Sequence, residues 1–112
     1  MKILLTGATG YIGKRLLPVL VEAGHEVVCC VRDKSRFNPS EAIKQQIQII
    51  QIDLLERESL NKIPNDIDGV YYLVHSMSKS MDYEKLELEC AINLRSALNQ
   101  TNVNHVIYLS GI

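Results

Sequence analysis

The chain has 112 residues, which is enough for one domain, residues 1–112, with a single sizeable core. Lys and Arg number 12 and Asp and Glu number 13, so the net charge is −1, which argues against nonspecific binding to nucleic acid. The composition is 46% hydrophobic and 22% charged, as in ordinary globular proteins, and every apolar stretch is too short to cross a bilayer. We therefore expect neither nucleic acid nor a membrane as a partner.

Five short runs rich in apolar and β-branched residues predict strands. In chain order, these strands are predicted over residues 2–6, 26–31, 47–52, 69–75 and 104–110. Helical spacing of apolar residues predicts helices over residues 11–23, 56–62 and 82–100, and residues 32–46 are predicted as a loop with one helical turn from Ser40. Strands that alternate with helices indicate an α/β fold with a parallel sheet and right-handed crossovers.

The two long predicted helices have recognisable faces. The first is expected to bury Ile12, Leu16, Leu17, Leu20 and Val21 and to end at Gly24, and the last is expected to bury Tyr83, Leu86, Cys90, Leu94 and Ala97. The solvent side of the last helix is predicted to carry Glu84, Lys85, Glu87 and Glu89.

The three cysteines predict neither a disulfide framework nor a metal site, because their number is odd and no C-x-x-C spacing occurs. Cys29 and Cys30 are adjacent in a predicted strand, so their side chains should point to opposite faces of the sheet. We interpret all three, Cys90 included, as small core residues of a protein in the reducing cytoplasm.

A glycine motif, TGATGYIG at residues 6–13, follows the first predicted strand directly and opens the first predicted helix. Gly7 would allow the chain to leave the strand in a tight turn, Gly10 would allow the backbone to approach a diphosphate, and Gly13 would allow close packing. The start of the helix then offers unpaired N–H groups to the phosphates. The motif predicts a dinucleotide site formed by Gly7, Thr9, Gly10, Tyr11, Ile12 and Gly13. The alternative is a glycine turn that serves only the strand-to-helix corner.

With GHEV after the first helix, VRD after the second strand and Asp53-Leu54 after the third, the chain resembles the short-chain dehydrogenase/reductase superfamily. Its glycine spacing, G-x-x-G-x-x-G, is similar to that of the extended and atypical branches, which include NmrA-like and nucleoside-diphosphate-sugar epimerase-like proteins. The resemblance implies a Rossmann-type, doubly wound parallel sheet of about five strands in the order 3-2-1-4-5, and it implies an NAD(P) cofactor.

The end of the second strand bears on the choice of cofactor. In NAD-preferring members of the superfamily an acidic residue there binds the ribose 2′-hydroxyl, and here that position falls on Val31, followed by Arg32. A guanidinium favours a 2′-phosphate, and Arg36 adds a second positive charge. We therefore predict NADP in preference to NAD, although Asp33 leaves NAD open.

The resemblance also implies further contacts to the dinucleotide. Asp53 would accept the adenine amino group and the N–H of Leu54 would meet the ring; the alternative for Asp53 is an N-cap of the following helix. The segment Leu73, Val74 and His75 would line the nicotinamide ribose and the diphosphate. His75 is also a candidate acid or base, or else a residue that hydrogen-bonds the loop.

The sequence departs from active members of the superfamily at their catalytic pair. They use Tyr-x-x-x-Lys, which does not occur in these residues, and a serine whose usual position falls near Gly111, one place after Ser110. His75 and Ser110 are thus the remaining catalytic candidates, and the chain also ends before the segments that form the substrate pocket in such proteins.

Two functions fit these features. The first is the cofactor-binding part of a longer oxidoreductase or epimerase-like enzyme that acts on an unknown small molecule. The second is a non-catalytic nucleotide sensor or structural module. Self-association through the helix over residues 82–100 is a further expectation, because relatives often pair such helices.

Overall fold

A computed structural model describes residues 1–74, 81–101 and 103–110. Five strands form one parallel sheet, in chain order β1 (Lys2–Thr6), β2 (Glu26–Val31), β3 (Ile47–Gln51), β4 (Gly69–Val74) and β5 (His105–Ser110). The helices are α1 (Tyr11–Glu22), α2 (Glu41–Lys44) and α3 (Met81–Leu98), with 3₁₀ turns at Lys34–Arg36 and Arg57–Lys62. The spatial order of the strands is β3-β2-β1-β4-β5, which confirms the predicted doubly wound topology.

The sheet carries an apolar layer on each face, as expected for a parallel sheet. Leu4 and Val28 lie on the face that α3 covers, and Ile3 and Leu5 lie on the face that α1 covers. The adjacent cysteines divide between these layers as predicted, because successive side chains of a strand alternate.

Helix α1 ends where the sequence predicts. Gly24 adopts a positive φ of 87°, a conformation that favours glycine. The N–H of Gly24 donates to the carbonyl of Val21 and that of His25 donates to the carbonyl of Leu20, which satisfies carbonyls at the end of the helix. The chain can then turn back directly into β2.

One predicted helix has a 3₁₀ form, and three predictions of side-chain exposure are wrong. The short helix predicted over residues 56–62 is a 3₁₀ helix over residues 57–62, with a backbone bond from the N–H of Ser59 to the carbonyl of Glu56. Ile12 and Leu86, predicted to be buried, are each 44% exposed; Ile12 is the second residue of α1 and Leu86 the sixth residue of α3, so both lie near the start of their helices. Glu87, predicted on the solvent side, is half-buried because it lies seven residues before Leu94 and shares its face.

Among the described residues, every helix is too short or too polar to traverse a lipid bilayer.

Candidate functional site

A cleft of about 440 Å³ opens at the carboxyl ends of the strands. In the sheet, β2 and β3 lie on one side of β1, and β4 and β5 lie on the other. The cleft lies at this reversal of strand order, which is the usual ligand position in such folds. The predicted site residues in its wall are Gly7, Thr9, Gly10, Arg32, Arg36, Asp53, Leu54 and Leu73. Its wall also contains Thr6, Cys30, Ile52 and Cys90, which are not among the predicted site residues.

The turn after β1 requires glycine at residue 7. Gly7 has a φ of 72°, and a Cβ there would lie 3.0 Å from both the Cβ and the carbonyl oxygen of Leu73. The carbonyl of Gly7 accepts a hydrogen bond of 3.0 Å from the N–H of Gly10, which closes the turn. The backbone therefore passes close to β4, and the turn forms one wall of the cleft.

The start of α1 presents backbone N–H groups beside this turn. The carbonyl of Gly10 accepts from the N–H of Lys14, so the N–H groups of Tyr11, Ile12 and Gly13 have no acceptor within the helix. In this fully described helix the first turn holds no acidic residue, and no side chain of the described residues caps it. The helix start can therefore accept an anionic ligand.

The side chains of the first turn lie outside the cleft wall. Tyr11 is 66% exposed, and its ring packs beneath the Arg15 guanidinium, whose central carbon is 4.3 Å from the ring centroid. Ile12 is likewise exposed. Tyr11, Ile12 and Gly13 can thus contribute to a ligand site here through their backbone.

Gly13 packs against the turn rather than against the body of β1. A Cβ at this position would lie 2.1 Å from the carbonyl oxygen of Gly7 and 2.8 Å from the Cα of Ala8. Gly13 thereby allows the helix to begin directly beside the turn.

Thr6 joins β1 to β4 where the two strands separate. Their paired register ends at Leu5 and Tyr71. Beyond it the buried hydroxyl of Thr6 donates to the carbonyl of Tyr71 at 3.4 Å and accepts from the N–H of Leu73 at 3.1 Å. This side chain holds Leu73 against the Gly7 turn.

The carboxyl end of β2 carries positive charge into the cleft. Val31 is buried, and the exposed side chains of Arg32 and Arg36 follow it. The carboxylate of Asp33 accepts from the hydroxyl of Ser35 at 2.6 Å and from its N–H at 3.0 Å. The hydroxyl bond is the main reason that the pKa of Asp33 is lowered, so this carboxylate is ionised and already bonded within its own turn.

Asp53 lies in the cleft wall after β3, and it does not cap the next helix as the alternative prediction had it. Its Oδ1 accepts from the N–H of Leu55 at 2.9 Å, which forms a local turn, and the 3₁₀ helix begins after Glu56 without a side-chain cap. The capping alternative is therefore wrong, because the turn uses this carboxylate before the helix begins.

The two cysteines of the cleft, Cys30 and Cys90, have thiols of low reactivity. Burial raises the pKa of the Cys30 and Cys90 thiols, so both are protonated at neutral pH and are poor nucleophiles. Among the described residues, no group of three or more His, Cys, Asp and Glu side chains could hold a metal ion.

The remaining predicted site residues are Val74, His75 and Ser110. His75 lies outside the described residues. Val74 ends β4 and Ser110 ends β5 at the same edge of the sheet as the cleft, but their side chains also lie outside the described residues. The catalytic roles of His75 and Ser110 stay predictions.

Comparisons with known proteins agree with this geometry. The model of the NAD dependent epimerase/dehydratase family matches residues 3–111. The chain is 30% identical to cinnamoyl-CoA reductase 1 from Petunia hybrida over 96% of its length, and 30% identical to UDP-glucose 4-epimerase from Lactobacillus helveticus over 98%. These matches cover 34% and 35% of the two relatives, so the chain spans about a third of their length.

A solved structure has the same fold. Uronate dehydrogenase from Agrobacterium tumefaciens superposes with a TM-score of 0.80 at 19% identity, over 97% of this chain and 40% of that one. The family match over nearly the whole chain, together with the glycine turn and the cleft beside it, shows that the chain belongs to the NAD dependent epimerase/dehydratase family.

Proposed function

We propose that this chain binds NADP in the cleft and forms the cofactor domain of an oxidoreductase or epimerase-like enzyme that acts on a small molecule. The observation that carries the proposal is the uncapped start of α1 beside the Gly7 turn, because it combines close backbone approach with unpaired N–H groups. The matched relatives, a reductase and an epimerase, support this class of chemistry.

In this proposal, different residues of the chain bind different parts of the dinucleotide. The N–H groups at the start of α1 bind the diphosphate, Asp53 and Leu54 receive the adenine, and Leu73 lies beside the nicotinamide ribose. The bound nicotinamide supplies hydride chemistry. The chain itself binds and orients the cofactor at the edge where β4 and β5 also end.

The preference for NADP rests on the charges after β2. Arg32 and Arg36 lie in the cleft wall, where guanidinium groups suit a 2′-phosphate. Asp33 lies in the same wall, but its Oδ1 is bonded to Ser35 and its Oδ2 lies 3.8 Å from Nε of Arg36. Its carboxylate is thus less available to a ribose 2′-hydroxyl, which favours NADP over NAD.

Replacing Arg32 with alanine should weaken NADPH binding by about tenfold and leave NADH binding nearly unchanged, because only NADPH carries the 2′-phosphate. Isothermal titration calorimetry with both dinucleotides measures the two dissociation constants. The matched control is Lys34→Ala, which removes an exposed positive charge of the same segment from outside the cleft wall. Tighter binding of NADH than of NADPH by the unmodified protein would contradict the preference.

We also propose that the protein self-associates through α3. Leu88 and Ile92 lie one turn apart on this helix and are 62% and 52% exposed. Sedimentation velocity should show a concentration-dependent dimer that Leu88→Asp abolishes, whereas Val19→Asp, at a 59% exposed position of α1, should leave it intact. A monomer at all concentrations would refute the proposal.

A further inference from the structure

The side chain of Asn93 lies outside the cleft wall, but it is hydrogen-bonded to Leu54, which belongs to that wall. Asn93 is 5% exposed, a low value for an amide side chain in the middle of α3. Its Nδ2 donates a hydrogen bond of 2.8 Å to the carbonyl oxygen of Leu54. Cys90, one turn earlier on the same helix, lines the cleft directly.

The Leu54–Leu55 peptide is held at both of its polar atoms. Its carbonyl accepts from Asn93, and its N–H donates to Oδ1 of Asp53 at 2.9 Å. The orientation of this peptide therefore fixes one oxygen of the Asp53 carboxylate. Among the residues that the structure describes, none donates to the other oxygen, Oδ2, and Asp53 lies in the cleft wall.

Ser59 holds the backbone of Asp53 itself. Its hydroxyl accepts from the N–H of Asp53 at 3.1 Å and lies 2.8 Å from the carbonyl oxygens of Asp53 and Glu56, either of which it can donate to. These bonds lie within one short segment, whereas the bond from Asn93 joins the segment to α3. The hydrogen bond from Asn93 therefore ties this segment to α3, the helix that also places Cys90 in the cleft wall.

We infer that Asn93 is a positioning residue for the adenine end of the dinucleotide: through the Leu54 carbonyl it orients the Asp53 carboxylate and the Leu54 N–H toward the base. The inference rests on the proposed function. A buried polar group preorganised in this way raises affinity, because the loop does not have to be ordered when the ligand binds. Loss of the amide should therefore weaken binding of the adenine half alone.

Asn93→Leu removes the donor and keeps the approximate size of the side chain. We expect about a fivefold to tenfold loss of affinity for NADPH, the range for one lost hydrogen bond. Calorimetry with two fragments localises the effect: adenosine 2′,5′-bisphosphate should lose as much affinity as NADPH, and reduced nicotinamide mononucleotide should lose none. A purely structural role would affect both fragments alike.

Val27→Ala is the control, because Val27 is 2% exposed, lies near the amino end of β2 and belongs to the apolar layer on the other face of the sheet from Leu54. It should lower the melting temperature while preserving the fragment affinities. Equal affinity losses in Val27→Ala and Asn93→Leu would overturn the inference, as would unchanged binding of the adenine fragment by Asn93→Leu.

Asn93→Asp provides a second test if the leucine variant does not fold. A protonated aspartic acid can donate to the Leu54 carbonyl and a carboxylate cannot, so its NADPH affinity relative to the unmodified protein should recover as the pH falls. A ratio that does not change with pH would contradict the role. If the unmodified protein binds neither NADPH nor NADH, the proposed function fails as well, which separates that outcome from a failure of the Asn93 inference alone.

Discussion

Replacing Gly10 with valine should reduce NADPH affinity by more than about 100-fold, the loss expected when two charge-assisted hydrogen bonds to the diphosphate are broken. Gly10 is the residue before the first turn of α1 and lies in the cleft wall. A branched side chain there would occupy the space through which the phosphates reach the N–H groups of Tyr11 and Ile12. Calorimetry on the purified variant measures the loss.

The fold should tolerate the same change. Gly10 has φ −78° and ψ 173°, an extended conformation that β-branched residues adopt readily. Thermal denaturation should therefore show a change in stability below about 1 kcal/mol. Gly10→Ala adds a smaller group and should give an intermediate affinity. Full NADPH affinity in Gly10→Val would mean that the diphosphate does not approach this turn.

Replacing Gly13 with alanine should destabilise the protein by about 3 kcal/mol, the upper range for overpacking a site that cannot relax. The added Cβ would lie 2.1 Å from the carbonyl oxygen of Gly7, and both atoms belong to backbone that other contacts hold. Helix propensity alone predicts the opposite sign, a gain of about 1 kcal/mol for alanine over glycine inside a helix. The steric overlap should win because either the turn or the helix must move.

Urea denaturation measures the difference. Gly24→Ala is a useful control. Gly24 ends α1 with a positive φ, but a Cβ there would meet no atom within 4 Å. Its cost should be limited to the left-handed backbone conformation, about 1 kcal/mol. If Gly13→Ala proves more stable than the unmodified protein, the packing of α1 against the Gly7 turn is not as tight as the structure shows.

The strands and the turn were predictable from sequence for physical reasons. Runs such as EVVCCV are buried on both faces of a parallel sheet, so they are continuously apolar and easy to recognise. The turn was predictable because only glycine suits the positive φ of Gly7 and the close approach at Gly13. Local sequence was sufficient wherever a short segment determines its own conformation.

The residues that the sequence analysis missed act through tertiary contacts. An asparagine within a polar helix is typical of a solvent face, whereas Asn93 is buried and bonded to the loop after β3, a contact that the sequence does not reveal. Thr6 is part of the recognised motif, but its bonds to Tyr71 and Leu73 depend on where β1 and β4 separate. The charge of Glu87 predicts the solvent side of α3, whereas its helical spacing from Leu94 predicts the inner face.

The most direct measurement of the central claim is a crystal structure of the protein soaked with NADPH. The account predicts that diphosphate oxygens lie about 3 Å from the N–H groups of Tyr11 and Ile12, with the 2′-phosphate beside Arg32. Density for the dinucleotide elsewhere on the protein, or no density at the start of α1 at saturating NADPH, would contradict it.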